Sequence, residues 1–168
     1  YAVDRVAETL EERGFAGYMV EVGGEVRAGG RKANGEVWRI GLERPDPAGR
    51  SVHLALPLAD LSLATSGDYR NYLIRDGVRI SHTIDPRTGY PISHNLASVS
   101  VIHASCMTAD ALATALEVLG PEEGLELAEN RDIPALFLIR EDESTFREVR
   151  TRVWKVLTEN TPLPAGVG

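Results

Sequence analysis

The chain contains a single cysteine, Cys106. One thiol excludes an internal disulfide framework and any cysteine-based zinc cluster. Close to a helix start, Cys106 reads as a small buried residue rather than a nucleophile. No apolar run approaches the roughly 18 residues that a membrane-spanning helix needs. Basic residues are outnumbered and interspersed with acidic ones: 18 Lys and Arg against 25 Asp and Glu give a net charge of −7. The basic stripe of a duplex nucleic-acid surface is therefore missing, and no nucleic-acid partner is expected. Also missing is the glycine and lysine spacing of a P-loop. The stretch "ATSGDY" (64–69) offers small residues and amides that can line a phosphate or a ring, without the P-loop lysine.

What remains is an ordinary globular composition, 168 residues with 43% hydrophobic and 26% charged, enough for one domain with a real core. The chain starts at Tyr1 rather than Met, already within two residues of a helical pattern. The expectation is that residues 1–168 are one unit, the downstream part of a longer protein. Neither a repeat nor an interior linker is visible.

Val3, Val6, Ala7 and Leu10 follow helical spacing, and Gly14 closes that helix. "GYMVEV" (17–22) reads as a strand ending in Gly23-Gly24, a pair that permits close backbone approach but more often marks a bend. Two strands, 36–45 and 51–60, are joined by a Pro/Asp/Gly turn. Residues 64–85 read as a loop followed by a hairpin with Asp76-Gly77 as its turn. A strand follows over 96–104, with Val99, Val101 and His103 on one face. The clearest helix covers 106–119, with Leu112, Ala115, Leu116 and Leu119 as its apolar stripe. Gly120-Pro121 stops it, and a short helix over 122–130 follows. A buried strand at 133–140 pairs through the "EDES" turn with a strand at 145–154, and the tail from 159 frays. The pattern predicts one α+β domain of mainly antiparallel, hairpin-rich β-sheet packed with helices.

Two places carry chemistry. Asp110 and Thr114 are one helical turn apart, with Ala113 beside them, and can offer two oxygens to a hard cation such as Mg²⁺. The same Asp equally suits a helix dipole, and the Thr its own backbone. In "SHTIDPRTGYPISHN" (81–95), Ile80, His82 and Ile84 alternate on one strand face, so partial desolvation would favour a neutral, proton-accepting His82. A hydrogen-bonded core histidine fits the position as well. Asp85-Pro86-Arg87-Thr88-Gly89 is strong turn chemistry. His53, His94 and His103 are scattered without metal-ligand spacing and read as structural or surface residues.

Taken together, "ATSGDYRNY", "SHTIDPRTGYPI" and "SVSVIHASCMTADALATALEVLG", in that order, resemble the ApbE family of flavin transferases, whose pattern at these places is close to "ATSG(D/N)Y", "SHIIDPRTG" and "ADALATALFVLG". The similarity runs from Tyr1 to about Arg140. It implies an ApbE-like fold and an Mg²⁺-dependent enzyme that splits FAD at its pyrophosphate. Such an enzyme moves the FMN half to a Ser or Thr hydroxyl of a target protein and releases AMP. The resemblance further implies Asp110 and Thr114 as metal ligands, with Ala113 offering only its backbone carbonyl. His82 would be the base. Flavin contacts would run along 80–89, including His82, Ile84 and Asp85, and along 23–25 at Gly24 and Glu25. Further flavin contacts and another metal ligand are implied upstream of Tyr1. Acceptor subunits of membrane redox complexes are the implied partners. The implied location is the periplasmic side of the inner membrane, with an upstream lipid anchor as the only membrane link. An FAD pyrophosphatase and a non-catalytic flavin-binding domain are the alternatives.

Overall fold

A computed structural model describes residues 1–45, 49, 51–68, 72–75, 78–142 and 144–159. Chain order is helix α1 (Ala2–Glu12), strands β1 (Tyr18–Val22), β2 (Glu25–Gly29), β3 (Trp38–Glu43), β4 (Val52–Leu58), β5 (Leu61–Gly67), β6 (Tyr72–Arg75), β7 (Val78–Ser81), β8 (Ile84–Asp85), β9 (Tyr90–Pro91) and β10 (Leu96–His103). Helix α2 (Cys106–Asn130), β11 (Ala135–Arg140), β12 (Phe146–Arg150) and helix α3 (Arg152–Glu159) complete it. Six strands form one antiparallel sheet in the order β1-β2-β5-β10-β11-β12. The hairpins β3–β4, β6–β7 and β8–β9 are separate two-stranded pieces inserted between strands of that sheet. The expected α+β architecture is the one found.

Central strand β10 explains the layering. Its residues from Leu96 to Ile102 are all buried, because both sheet faces are covered. On one face α2 lays Ala109, Ala113 and Leu116 against Ala64, Val99, Val101 and Phe137. On the other, β3–β4 and Trp154 of α3 pack on Val26, Leu63, Ile102, Leu136 and Leu138. A third, smaller cluster sets Val3 and Ala7 of α1 on Tyr18, Val20 and Cys106. Among the described residues no helix is long and apolar enough to cross a membrane.

Several expectations need correction. "ATSG" (64–67) is not loop but the end of β5, hydrogen-bonded to β10 from Ser62↔His103 to Gly67↔Ser98; small residues are what a strand under a close-packed helix requires. The stripe of α2 is rotated: Ala115 is exposed, and the buried line runs through Cys106, Ala109, Ala113, Leu116 and Gly120. Alanines facing the sheet let the helix approach closely, and the leucines flank that contact. The strand expected over 145–154 ends at Arg150. There Thr151 takes over, its hydroxyl accepting from Trp154 N–H at 3.4 Å and donating to Ile133 O at 2.9 Å, and α3 begins. The break at Gly120-Pro121 is as expected. Gly120 has φ +82°, and a Cβ there would lie 2.8 Å from the His94 ring. The turn at 76–77, most of the turn at 45–49, part of the "EDES" turn and the tail from 160 lie outside the described residues.

Helix α2 starts on a buried acid. Asp4 of α1, 7% exposed, accepts from Cys106 N–H and Met107 N–H at 2.9 Å each, from Ser105 Oγ at 3.0 Å and from Arg27 Nη1 at 3.2 Å. Ser105 in turn accepts from Thr108 N–H at 3.3 Å. One carboxylate thus satisfies two of the amides that a helix leaves without partners, at the end where the dipole favours negative charge. Burial raises the Asp4 pKa, but the donors from Met107, Cys106, Ser105 and Arg27 outweigh it and hold the carboxyl below its usual value. Removing the acceptor strands buried donors, so Asp4→Ala is expected to cost about 2–4 kcal/mol in denaturant unfolding. The sign with pH follows from the depressed value. The contribution is full above the unfolded Asp pKa of about 3.9 and lost as pH falls through the folded one, so Asp4→Ala and wild type should converge toward pH 2.

Candidate functional site

The β2–β5 ladder ends at Val26↔Leu63, yet β5 runs on to Gly67 with β10 along its other edge. Among the described residues, Thr65, Ser66 and Gly67 therefore leave one backbone edge without a strand, at the end of the sheet where the β1–β2 turn lies. A cavity of about 620 Å³ opens on that edge. Its walls are the turn residues Gly23, Gly24 and Glu25, the hairpin residues Ile40, Leu42 and Val52, the end of β5, the segment His82-Thr83, and Asp110, Thr114 and Glu117 of α2. Gly23 and Gly24 have φ of +71° and +110°, the left-handed pair that a two-residue hairpin turn between Val22 and Glu25 demands. The Gly24 N–H donates to Glu21 Oε1 at 2.9 Å, so the bend is held by an acid of its own hairpin.

Charge in the wall is one-sided. Glu21, Glu25, Glu43, Asp110 and Glu117 contribute carboxyls, His82 the one imidazole, and no Lys or Arg is among the lining residues described. Burial first, then the Asp110 charge, raises the Glu25 pKa. Asp110 itself is exposed and makes no hydrogen bond among the described residues, and Thr114 Oγ1 lies 2.9 Å from Ser66 Oγ. Glu117 is 1% exposed, and its Oε1 is buried without a partner. Burial, with the Asp68 charge second, pushes its pKa up to about 7. Asp68 is engaged elsewhere, bound by Arg140 Nη2 at 2.9 Å.

Of the expected site residues, His82, Gly24, Glu25, Asp110 and Thr114 share this one cavity. Ile84 and Asp85 are not among its lining residues. Ile84 is 49% exposed, and Asp85 is spent on its own turn, accepting from Arg87 N–H at 2.8 Å and from the Arg87 guanidinium, which holds its carboxyl below the usual range. Ala113 is fully buried against the sheet. The reasoning for His82 also needs correction. β7 ends at Ser81 and β8 starts at Ile84, so 80, 82 and 84 do not alternate along one strand, and His82 is exposed rather than desolvated. The other histidines are structural: His53 pairs with Glu148 at 2.5 Å, His94 accepts from Leu96 N–H at 3.3 Å and His103 from Ser105 N–H at 3.0 Å. Cys106 is buried and its thiol is pushed up to about 11, by burial first and by Asp4 next. Sequence reading passed over Glu117, although Asp110, Thr114 and Glu117 stand at i, i+4 and i+7, one face of a helix.

Among the described residues no three His, Cys, Asp or Glu side chains group as a self-sufficient metal cage. Donors left unburied among the described residues include the Asp110 carboxylate, which makes no hydrogen bond to them, and the Thr114 and Ser66 hydroxyls. That set fits Mg²⁺, which takes one or two carboxylates and completes its shell with water and a ligand's phosphates.

Fold and cavity define a domain with an acid-walled ligand cleft at one end of an antiparallel sheet. The ApbE family model matches residues 1–137, and the chain belongs to the ApbE family. A Vibrio cholerae protein named FAD:protein FMN transferase is 47% identical over 155 residues, 92% of this chain and 46% of that protein. The Haemophilus influenzae protein of the same name is 44% identical over 95% of this chain and 46% of its own length. The solved apo form of the Pseudomonas stutzeri flavinyl transferase ApbE superposes with a TM-score of 0.82 at 46% identity, covering 99% of this chain and 50% of that one. The chain thus spans about half the length of the relatives it matches.

The raised Glu117 pKa has a stability consequence. The folded state binds this proton more tightly than the unfolded chain, so wild-type stability should fall as pH rises from about 4.3 to about 7 and then level off. Glu117→Gln should remove that slope and be the more stable protein at pH 8, as read from denaturant midpoints between pH 4 and pH 8.

Proposed function

We propose that the chain is the C-terminal part of an FAD:protein FMN transferase, with residues outside it completing the site. The observation that carries this reading is the unpartnered Asp110 carboxylate, one turn from Thr114, in the same cavity wall as His82. The carboxyls of the wall, with no Lys or Arg among its described residues, support it. A diphosphate cannot settle among carboxylates unless a cation neutralises it, since unit like charges 4 Å apart repel by about 4 kcal/mol near a protein surface. A cation requirement is thereby built into the lining itself. Asp110 and Thr114 would hold Mg²⁺, which when bound neutralises the diphosphate oxygens and the charge that develops as the bridge breaks.

The chain's own residues have distinct work. The open edge of β5, from Thr65 to Gly67, offers backbone groups to the ligand, and the aliphatic side chains of Ile40, Leu42 and Val52 give a ring an apolar wall on the opposite side. His82 takes the proton of the acceptor hydroxyl as that oxygen attacks the phosphorus carrying the FMN half. A new phosphoester bond forms, the bridging P–O bond breaks, and AMP leaves with the bridging oxygen. Exposure of His82 suits this role, because the acceptor is a side chain of another protein and must reach the base from outside. By family resemblance the acceptors are subunits of membrane redox complexes, and the enzyme works on the periplasmic side of the inner membrane.

The test is incubation of the full-length protein with FAD, Mg²⁺ and an acceptor protein, following fluorescent protein against free FMN. Transfer predicts label on the acceptor, and free FMN without label would indicate a pyrophosphatase. Asp110→Ala should abolish turnover and the Mg²⁺ dependence of FAD binding; unchanged turnover would sink the metal role. His82→Ala should lower kcat by about 10²–10⁴-fold while leaving the affinity for FAD within a few fold.

A further inference from the structure

Glu117 is given no task by the proposed chemistry, and of the carboxyls described in the cavity wall it is the one that is buried. It sits one turn beyond Thr114 on α2, is 1% exposed, and makes no hydrogen bond to the described residues. The charged group facing it is Asp68, which Arg140 already holds; no Lys or Arg bonds Glu117 itself. A buried polar group without a partner is destabilising, and more so when it is ionised. The fold bears this penalty at the wall of the cavity. A polar group kept unsatisfied in a ligand cavity points to a partner that arrives with the ligand.

Helix geometry says which part of the ligand that is. Asp110 and Thr114 are about 6 Å apart along the axis, and Glu117 lies about 4.5 Å further on. With a cation and diphosphate seated at the first two, the ligand group within reach of Glu117 is one step removed from the phosphates. On a dinucleotide such as FAD the diphosphate is flanked through methylene groups by two hydroxyl-bearing units, the ribityl chain on one side and the ribose on the other. A carboxyl accepting from a sugar hydroxyl is an established recognition pair.

We propose that Glu117 is a specificity-determining residue of this cavity, hydrogen-bonding a sugar hydroxyl of the bound dinucleotide next to its diphosphate. The proposal rests on the functional reading above. Neither the cation nor the reacting bond is touched by Glu117, so its loss should appear in affinity rather than in the chemical step.

Titration calorimetry of the full-length protein, as wild type, Glu117→Gln and Glu117→Leu, with FAD, ADP and FMN, each with Mg²⁺ at pH 8, tests it. Glu117→Leu is expected to bind FAD about tenfold more weakly, and Glu117→Gln, whose amide oxygen still accepts, to stay within about threefold of wild type. A loss for ADP alone assigns the ribose, and a loss for FMN alone assigns the ribityl chain. An analogue of the affected half that lacks the hydroxyls should bind wild type and Glu117→Leu equally, which a merely structural role would not produce. The Glu117→Leu protein should melt no lower than wild type, since it loses an unpaired buried carboxyl. Equal affinities of all three proteins for FAD, or an undiminished loss with the hydroxyl-free analogue, would overturn the assignment while leaving the transferase reading intact. If FAD fails to bind wild type but ADP binds and weakens in Glu117→Leu, the flavin reading falls and the role of Glu117 stands. Failure of wild type to bind any of the three overturns both.

Discussion

The Asp4 carboxylate under the start of α2 is the contact on which the site depends. It joins three elements that are far apart in sequence: α1, the Ser105-Cys106-Met107 corner and Arg27 of β2. Asp110 and Thr114 lie one and two turns further along the same helix, and Glu25 starts the strand that carries Arg27. Fixing this corner therefore sets α2 and the β1–β2 turn relative to each other, and so sets two walls of the cavity. A charge is well suited to the task because helix dipole, backbone donors and guanidinium all reward the same ionised state.

Around that corner the sheet is built to be finished on most edges and unfinished at one. β10 is covered on both faces and paired on both sides, which gives the core its rigidity. β5 outruns β2 by several residues, and the cleft occupies the gap. Small side chains at Thr65, Ser66 and Gly67 keep that gap open, while the acids around it make the cleft hostile to an unaccompanied anion. Backbone donors and a carboxylate-rich wall are contradictory hosts for a phosphate until a cation reconciles them.

Much of this was legible in the sequence because the strongest signals were local. Gly23-Gly24 and Gly120-Pro121 mark turns through backbone preference, and the short apolar runs at 18–22 and 135–140 mark strands. Motif order carried the family, and Asp110, Thr114 and His82, singled out on the same motifs, line one cavity. The failures share a different cause. "ATSG" is small and polar because a helix packs on it, a long-range fact that local composition reads as loop. Thr151 ends β12 by bonding to Ile133 and Trp154, contacts invisible in the run "REVRTRVW". Assigning the α2 stripe to leucines ignored that close packing selects alanine. Desolvation of His82 was inferred from a strand that stops one residue earlier. Nothing in the local sequence separates Glu117 from the exposed acids of α2; its 1% exposure does.

All three small hairpins leave and rejoin the main sheet between strands that are already paired to neighbours: β3–β4 between β2 and β5, and the other two between β5 and β10. Their lengths and tips can therefore drift over generations without disturbing a single ladder bond of the six-stranded scaffold. One of them forms a cavity wall, and the other two flank the exposed imidazole in sequence. Evolution can thus retune what docks at the mouth of the cleft by editing appendages, while the helix that bears the acids stays locked to its foundation.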